Sequence, residues 1–330
     1  MSEPNFDPLR LFLPEQRSVK RFTTIAIALL CIVVFGKGTS LRAQQRIVLI
    51  YSDSTKHTLR TISGLEWSLK SCDPPCSIVP YYLKSGSEPE RTEIAALKGA
   101  VLLTVGSIAT AFADKHFPQT PVVFAKVLNP IESGFISSWD NPGGHVTGAA
   151  LDIPVDQQIQ KFSTVIPNLK RIGVIYSISS QRLVDEARKS CTALGLQLIG
   201  IQIAATKDLP GAVDSLCKTV DGIWTIADEL LSTPQFIRHT LVETLRARIP
   251  IMGFNQNFVE NGALFCLEAD YKFIGRQAGE IVSSILNGKE VGSIKPTVPD
   301  VVYLYLNLKS SKLLNIDLSP ELISVAKETY

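Results

Sequence analysis

The sequence predicts an α/β fold built as two doubly wound, parallel-sheet lobes, and three observations carry that expectation. From Arg46 onward, short β-branched runs alternate with longer amphipathic stretches. The alternation restarts near residue 151, as if a second set of βαβ units began there. The chain has 330 residues, 45% of them hydrophobic, which is enough for about two packed domains.

Ile47-Val48-Leu49-Ile50-Tyr51 is a continuous apolar run, the pattern of a strand buried on both faces. A helix over Thr55–Lys70 follows, then a strand over Ser77–Leu83. Glu88–Leu97 reads as a helix whose acidic first turn suits the helix dipole. Ala100–Val105 is a strand closed by Gly106, Ser107–Asp114 a short helix, and Pro121–Phe124 another strand. The second set begins with a helix over Val155–Ile166 and the strand Arg171–Tyr176. Helices over Gln181–Leu194, Leu209–Cys217 and Pro234–Ala247 alternate with strands over Gln197–Ile203, Asp221–Ile226 and Pro250–Phe254. Ala263–Leu267 is a further strand, Tyr271–Leu286 a long helix, and Val301–Leu306 a late strand before a short helical tail. Helices between parallel strands place ligand sites at the carboxyl ends of the strands.

The formal net charge of +2 is uneven: residues 1–43 hold six basic and three acidic groups, leaving the remainder at −1. A near-neutral body gives no electrostatic case for nucleic acid. Arg17, Lys20 and Arg21 precede a 15-residue apolar run, Phe22–Gly36, and a polar stretch follows it. This is the layout of a secretory signal peptide, and the run is shorter than the ~20 residues of a spanning helix. Cleavage after Ala43 and an uncleaved anchor helix both remain open, and either implies a periplasmic or other extracytoplasmic location. Leu30 before Cys31 is too bulky for a lipoprotein signal.

Cys72 and Cys76 bracket Asp73-Pro74-Pro75 and form a candidate local disulfide in an oxidising compartment. Their spacing could also suggest half a metal site, but no second Cys or His pair at ligand spacing supports it, so no metal or cofactor is expected. Cys191, Cys217 and Cys266 read as small buried hydrophobes. The sequence contains no G-x-S-x-G elbow, Walker loop, G-x-G-x-x-G or H-E-x-x-H, and His57, His116, His145 and His239 stand apart from one another. Catalysis needs an oriented constellation, so no enzymatic activity is expected.

Three segments carry a resemblance. The first is Phe124-Ala125-Lys126-Val127-Leu128-Asn129-Pro130 running on to Asn141-Pro142-Gly143-Gly144-His145-Val146-Thr147-Gly148. The second is Pro167–Tyr176. The third is Asn261-Gly262-Ala263-Leu264 with Asp270-Tyr271 and Gly275–Glu280. In this order and spacing, over essentially all of 46–330, the chain resembles the ABC-transporter substrate-binding proteins that include tryptophan- and tyrosine-binding lipoproteins. The resemblance implies a type I periplasmic-binding-protein fold, with lobes joined by a three-crossover hinge near Asp152, Ala269 and Pro299. One lobe then takes 46–150 plus 270–298, and the other 151–269 plus 299–330. It also implies a monomer that closes on a small molecule, an aromatic amino acid being the first guess, and delivers it to an ABC permease. A ligand-sensing module feeding a signalling partner is the alternative.

The same resemblance nominates the ligand contacts, each with a structural alternative. Gly106-Ser107 could hold a carboxylate on free backbone N–H groups, or Ser107 could simply cap its helix. Asn129 stands where the family usually has Asp, and could contact ligand or form the turn before Pro130. Asp228 matches a family acid able to pair with a ligand ammonium, or else caps a helix. Phe254 and Asn255 replace Ser and an acid, and Phe254 could stack on a flat ligand or pack in the core. Asp270 and Tyr271 match the family at a crossover, where they could line the cleft or anchor a helix start. Tyr176 is a further strand-end candidate, whereas Trp224, inside a strand, reads as core.

Overall fold

The computed structural model describes residues 44–231 and 233–330, so the expected signal or anchor segment, with Cys31, lies outside the described residues. Strand β1 (Gln45–Tyr51) shows why the first lobe is wound on both faces. Its Ile47 and Leu49 enter one buried cluster, while Val48 and Ile50 enter another on the opposite side. Because successive side chains point to opposite faces, both faces of this strand are covered. Around it lie β2 (Cys76–Tyr82), β3 (Val101–Val105), β4 (Val122–Val127) and β5 (Val146–Ala150). The order is β2-β1-β3-β4-β5 and every pairing is parallel. Helices α1 (Lys56–Leu69), α2 (Glu88–Ala96) and α3 (Ser107–His116) connect the first four strands.

β5 is a strand the apolar pattern does not announce. Its centre is Gly148, where a Cβ would sit 2.2 Å from the Phe124 carbonyl oxygen and 2.5 Å from the Phe124 ring. The glycine of the Val146-Thr147-Gly148 motif is therefore needed for β5 to lie against β4.

The second lobe begins with α4 (Val155–Val165). It contains β6 (Arg171–Tyr176), α5 (Gln181–Ala193), β7 (Gln197–Gln202), α6 (Leu209–Thr219) and β8 (Gly222–Trp224). α7 (Pro234–Arg246), β9 (Ile251–Gly253), α8 (Gln256–Glu260) and β10 (Phe265–Ala269) follow. The chain then leaves this sheet. Helix α9 (Tyr271–Leu286) packs along α1 of the first lobe, and Thr297 bridges to Ala149 beside β5. The chain returns as β11 (Val302–Leu306), α10 (Leu308–Leu314), α11 (Pro320–Ser324) and the short β12 (Glu328–Thr329). The second sheet runs β12-β11-β10-β9-β8-β6-β7.

This sheet departs from an all-parallel expectation at one place: β10 and β11 pair antiparallel. The reason is topological. β10 leaves the sheet at the end facing the first lobe, and β11 re-enters at that same end, so the two must run in opposite directions. A hydrogen bond from Asp270 N to Val301 O, 2.9 Å, ties the outgoing and returning crossovers together. The first crossover is the segment 151–154 between β5 and α4.

Cys72 and Cys76 are free thiols in the structure rather than a formed disulfide. Cys72 Sγ lies 3.2 Å from Ser283 Oγ, and Cys76 Sγ donates to the Leu69 carbonyl at 3.6 Å. Burial, together with a hydrogen bond to Cys72, pushes the Cys76 thiol up to about 12.

Candidate functional site

A cavity of about 660 Å³ lies where the three crossovers meet. Its wall takes Leu151–Pro154 from the first, Leu267–Ala269 and Tyr271 from the second, and Val298 from the third. The first lobe adds Leu128, Asn129 and Trp139 from the loop after β4. The second adds the carboxyl ends of β8 and β9 and one face of α5. The cavity therefore touches both lobes and every segment that joins them.

Four of the nominated residues stand on this wall: Asn129, Phe254, Asn255 and Tyr271. Asn129 sits in the left-handed region at φ 53°, so that its backbone N–H reaches both oxygens of Asp152 at 3.1 Å. Phe254 leans on Phe258 with ring centroids 4.7 Å apart. Asn255 caps α8, its Oδ1 accepting from Phe258 N at 3.2 Å. Tyr271 opens α9 and stacks flat on His57, with centroids 4.2 Å apart and an interplanar angle of 3°. Trp224 is buried as expected, yet it also lines the cavity, and its indole N–H donates to Gln158 Oε1 at 2.9 Å.

The other five lie off this wall. Gly106, at φ 89°, is itself the N-cap of α3, and Ser107 is the exposed first residue of that helix. Tyr176 is buried in the core of the second lobe. Asp270 caps α9 through Lys272 N and Phe273 N, and pairs with Arg60 at 3.1 Å. Asp228 joins two strand ends: its Oδ2 accepts from Ser177 N, Ser177 Oγ and Ser180 Oγ at 2.9, 2.8 and 2.7 Å. Burial alone would raise the Asp228 carboxyl, but these hydrogen bonds and one from Leu230 N outweigh it and hold it below the usual carboxylate range.

Charged groups that the sequence did not nominate as ligand contacts also belong to the site. Arg182 of α5 pairs with Glu132 in the loop after β4, an ion pair that spans the two lobes, and also with Glu186 one turn on. Glu268, near the end of β10, lies on the wall and is 8% exposed. Asp152 sits on the first crossover between Asn129 and this ion pair. Burial pushes its carboxyl up to about 7; the Asn129 N–H opposes the rise, Glu132 adds to it and Arg182 reduces it. The one available signal was for Glu268, an acid between apolar residues and Asp270-Tyr271, just past the expected end of its strand at Leu267.

Asp152 makes stability depend on pH in a defined direction. An unfolded aspartate titrates near 3.9. Between there and about 7 the folded chain keeps a proton that the unfolded chain has released, so stability falls as pH rises through that window. Asp152→Asn is expected to raise the melting temperature by several degrees at pH 8, the displacement of about three pKa units setting a ceiling of about 4 kcal/mol. It should leave the melt unchanged near pH 3.5, where both states are protonated. Thermal melts of both proteins at the two pH values check this, and an equal shift at both would remove Asp152 as the cause.

With this geometry in hand, the comparisons with known proteins are specific. Residues 90–330 match the family model described as ABC transporter substrate binding protein. The chain belongs to that family. A curated relative, the tyrosine-binding protein of Clostridioides difficile (strain R20291), is 28% identical over 216 residues. The match covers 64% of this chain and 62% of that relative, so the chain spans under two thirds of the relative's length. Among solved structures, a substrate-binding protein with adhesive properties from Clostridium difficile, in its ligand-free, open form, superposes with a TM-score of 0.73 at 19% identity. That match covers 86% of this chain and 98% of the other. An ABC domain from Streptococcus pneumonia in complex with L-Trp superposes with a TM-score of 0.64 at 20% identity, covering 87% and 100%. At these identities the structures share the fold, the two-lobed periplasmic-binding-protein architecture. The family is one of binding proteins rather than an enzyme class. No helix among the described residues is long and apolar enough to cross a membrane.

Proposed function

We propose that this chain is the extracytoplasmic binding component of an ABC importer and encloses an aromatic amino acid or a related compound between its lobes. The observation that carries this reading is the cavity of about 660 Å³ bordered by all three crossovers. A ligand seated there touches both lobes and each joining segment, so its contacts favour the closed arrangement over the open one. Its volume lies within the ordinary range of small-ligand sites. Phe254, Trp139 and Tyr271 supply apolar and aromatic wall for a ring, while Asn129 and Asn255 supply polar groups. The tyrosine-binding relative and the tryptophan-bound structural neighbour support the choice of ligand class. Closure would present a joint surface of both lobes to a membrane permease, the expected protein partner.

A thermal-shift titration of the purified chain tests the reading. A ligand that binds only the folded state stabilises it by about 2.7 kcal/mol at one hundred times its Kd. L-tyrosine or L-tryptophan is expected to raise the melting temperature in step with the logarithm of its concentration above Kd, while L-alanine and ribose leave it unchanged. Stabilisation by ribose and by neither aromatic amino acid would overturn the assignment of ligand class.

A further inference from the structure

We infer that Glu268 is the residue that receives the ligand's ammonium group, and that it makes the site selective for amines and zwitterions over neutral or anionic solutes. This rests on the proposed binding role of the same cavity and deepens it by naming the recognised group.

The carboxylate is buried, yet its charge is unmatched. Its Oε2 accepts from Gln256 N at 2.9 Å, and the Tyr271 hydroxyl hydrogen-bonds to it. Its Oε1 has His57 Nε2 at 4.0 Å, too far for a hydrogen bond. No lysine or arginine among the described residues pairs with it. An ionised carboxylate offers about four acceptor positions, so Glu268 keeps acceptor capacity to spare.

His57 does not supply the missing charge. Its pKa is lowered, first by burial and then by Lys126, Lys56 and Arg60, against the pull of Glu268, and the lowering favours the neutral ring. Tyr271, Tyr305 and Cys266 are held in their neutral forms by burial and, next, by the Glu268 charge. The groups that hydrogen-bond to the Glu268 carboxyl are thus the neutral Gln256 N–H and Tyr271 hydroxyl.

Glu268 is the buried acid of the wall: Glu186, on the same wall, pairs with Arg182, and Asp156 is an exposed residue in the first turn of α4 whose Oδ1 accepts from Gln157 N at 2.9 Å. Asp270 pairs with Arg60 and caps α9. Asp152 holds the Asn129 N–H, and burial favours its neutral form. Asp228 lies off the wall and organises the ends of β6 and β8. Burying an uncompensated carboxylate costs several kcal/mol, and a bound cation at the same wall offsets that cost. That difference between the empty and the filled site is what a specificity-determining residue requires.

The test uses three probes that share one ring. L-tyrosine and tyramine carry the ammonium, whereas 3-(4-hydroxyphenyl)propionate lacks it. Calorimetric titration of the wild-type chain is expected to give binding of the two amines and at least about 100-fold weaker binding of the propionate, the scale of breaking a buried ion pair. Glu268→Gln, which keeps shape and removes charge, is expected to weaken L-tyrosine by a similar factor while its unliganded melt stays cooperative. Propionate binding as tightly as L-tyrosine, or an unchanged Kd in the Gln variant, overturns the inference. Should the Gln variant fail to fold, the probe series on wild type decides alone. L-lysine and putrescine separate this claim from the ligand assignment. If they bind in place of the aromatic probes and Glu268→Gln abolishes it, the ammonium claim stands and the aromatic reading falls. If only the propionate binds, the aromatic reading stands and the ammonium claim falls. A wild-type chain that binds no amine in the panel overturns the inference.

Discussion

Gly275→Ala is expected to cost about 3–5 kcal/mol and to leave little folded chain at 37 °C. Helices α1 and α9 approach so closely that backbone meets backbone. A Cβ on Gly275 would sit 2.0 Å from the Thr61 carbonyl oxygen and 2.9 Å from Leu65 N. On the facing helix, a Cβ on Gly64 would sit 1.9 Å from the Lys272 carbonyl oxygen. These are main-chain atoms of two regular helices, so no side chain can rotate aside. The helices must separate, opening the buried cluster that includes Leu65, Ile274 and Ala278. The damage reaches the site as well, because α9 begins at Tyr271 on the cavity wall. Gly64→Ala should behave alike, and the double variant should lose less than the sum, since one separation relieves both clashes. Thermal and denaturant melts followed by circular dichroism read the loss. A melt within a degree of wild type would show that the helices are not held at this distance.

Asp228→Ala is expected to cost about 2–4 kcal/mol, which follows from removing the shared acceptor of several buried donors. The Asp228 side chain is 4% exposed and takes N–H and O–H donors from Ser177 and Ser180, with Leu230 N on its other oxygen at 3.0 Å. Alanine would leave those donors buried without it. The folded-state pKa is depressed, so the charged carboxylate's contribution is fully present above the unfolded value near 3.9. It is lost as pH falls through the folded value. The stability gap between wild type and variant should thus be constant from pH 5 to 8 and narrow below pH 4. A gap that widens in acid would contradict the assigned role.

Much of the fold was legible because it rests on local alternation. β1 announces itself as an unbroken apolar run, and α9 as a long amphipathic segment after an Asp cap. β5 was not, because Val146–Ala150 is short, small and centred on a glycine whose purpose is the neighbouring Phe124. The reversed direction of β11 depends on where the chain re-enters the sheet, which no residue pattern records. The candidate site divides the same way. Strand-end logic reached Phe254 and Asn255, and the family resemblance reached Tyr271; all three line the cavity. It also reached Asp228, whose serine partners lie about fifty positions away in the chain. Glu132 and Arg182 meet across a similar separation, and neither has a local feature that names the other. Glu268 went unread because the apparent strand stopped at Leu267, one residue short of it.

The central claim is that a small amine-bearing ligand draws the two lobes together around the cavity. Small-angle X-ray scattering from the purified chain, with and without saturating L-tyrosine, tests it most directly. A smaller radius of gyration in the presence of ligand, reversed on its removal, is the result the account predicts. A profile that does not change while calorimetry shows the ligand fully bound would contradict it.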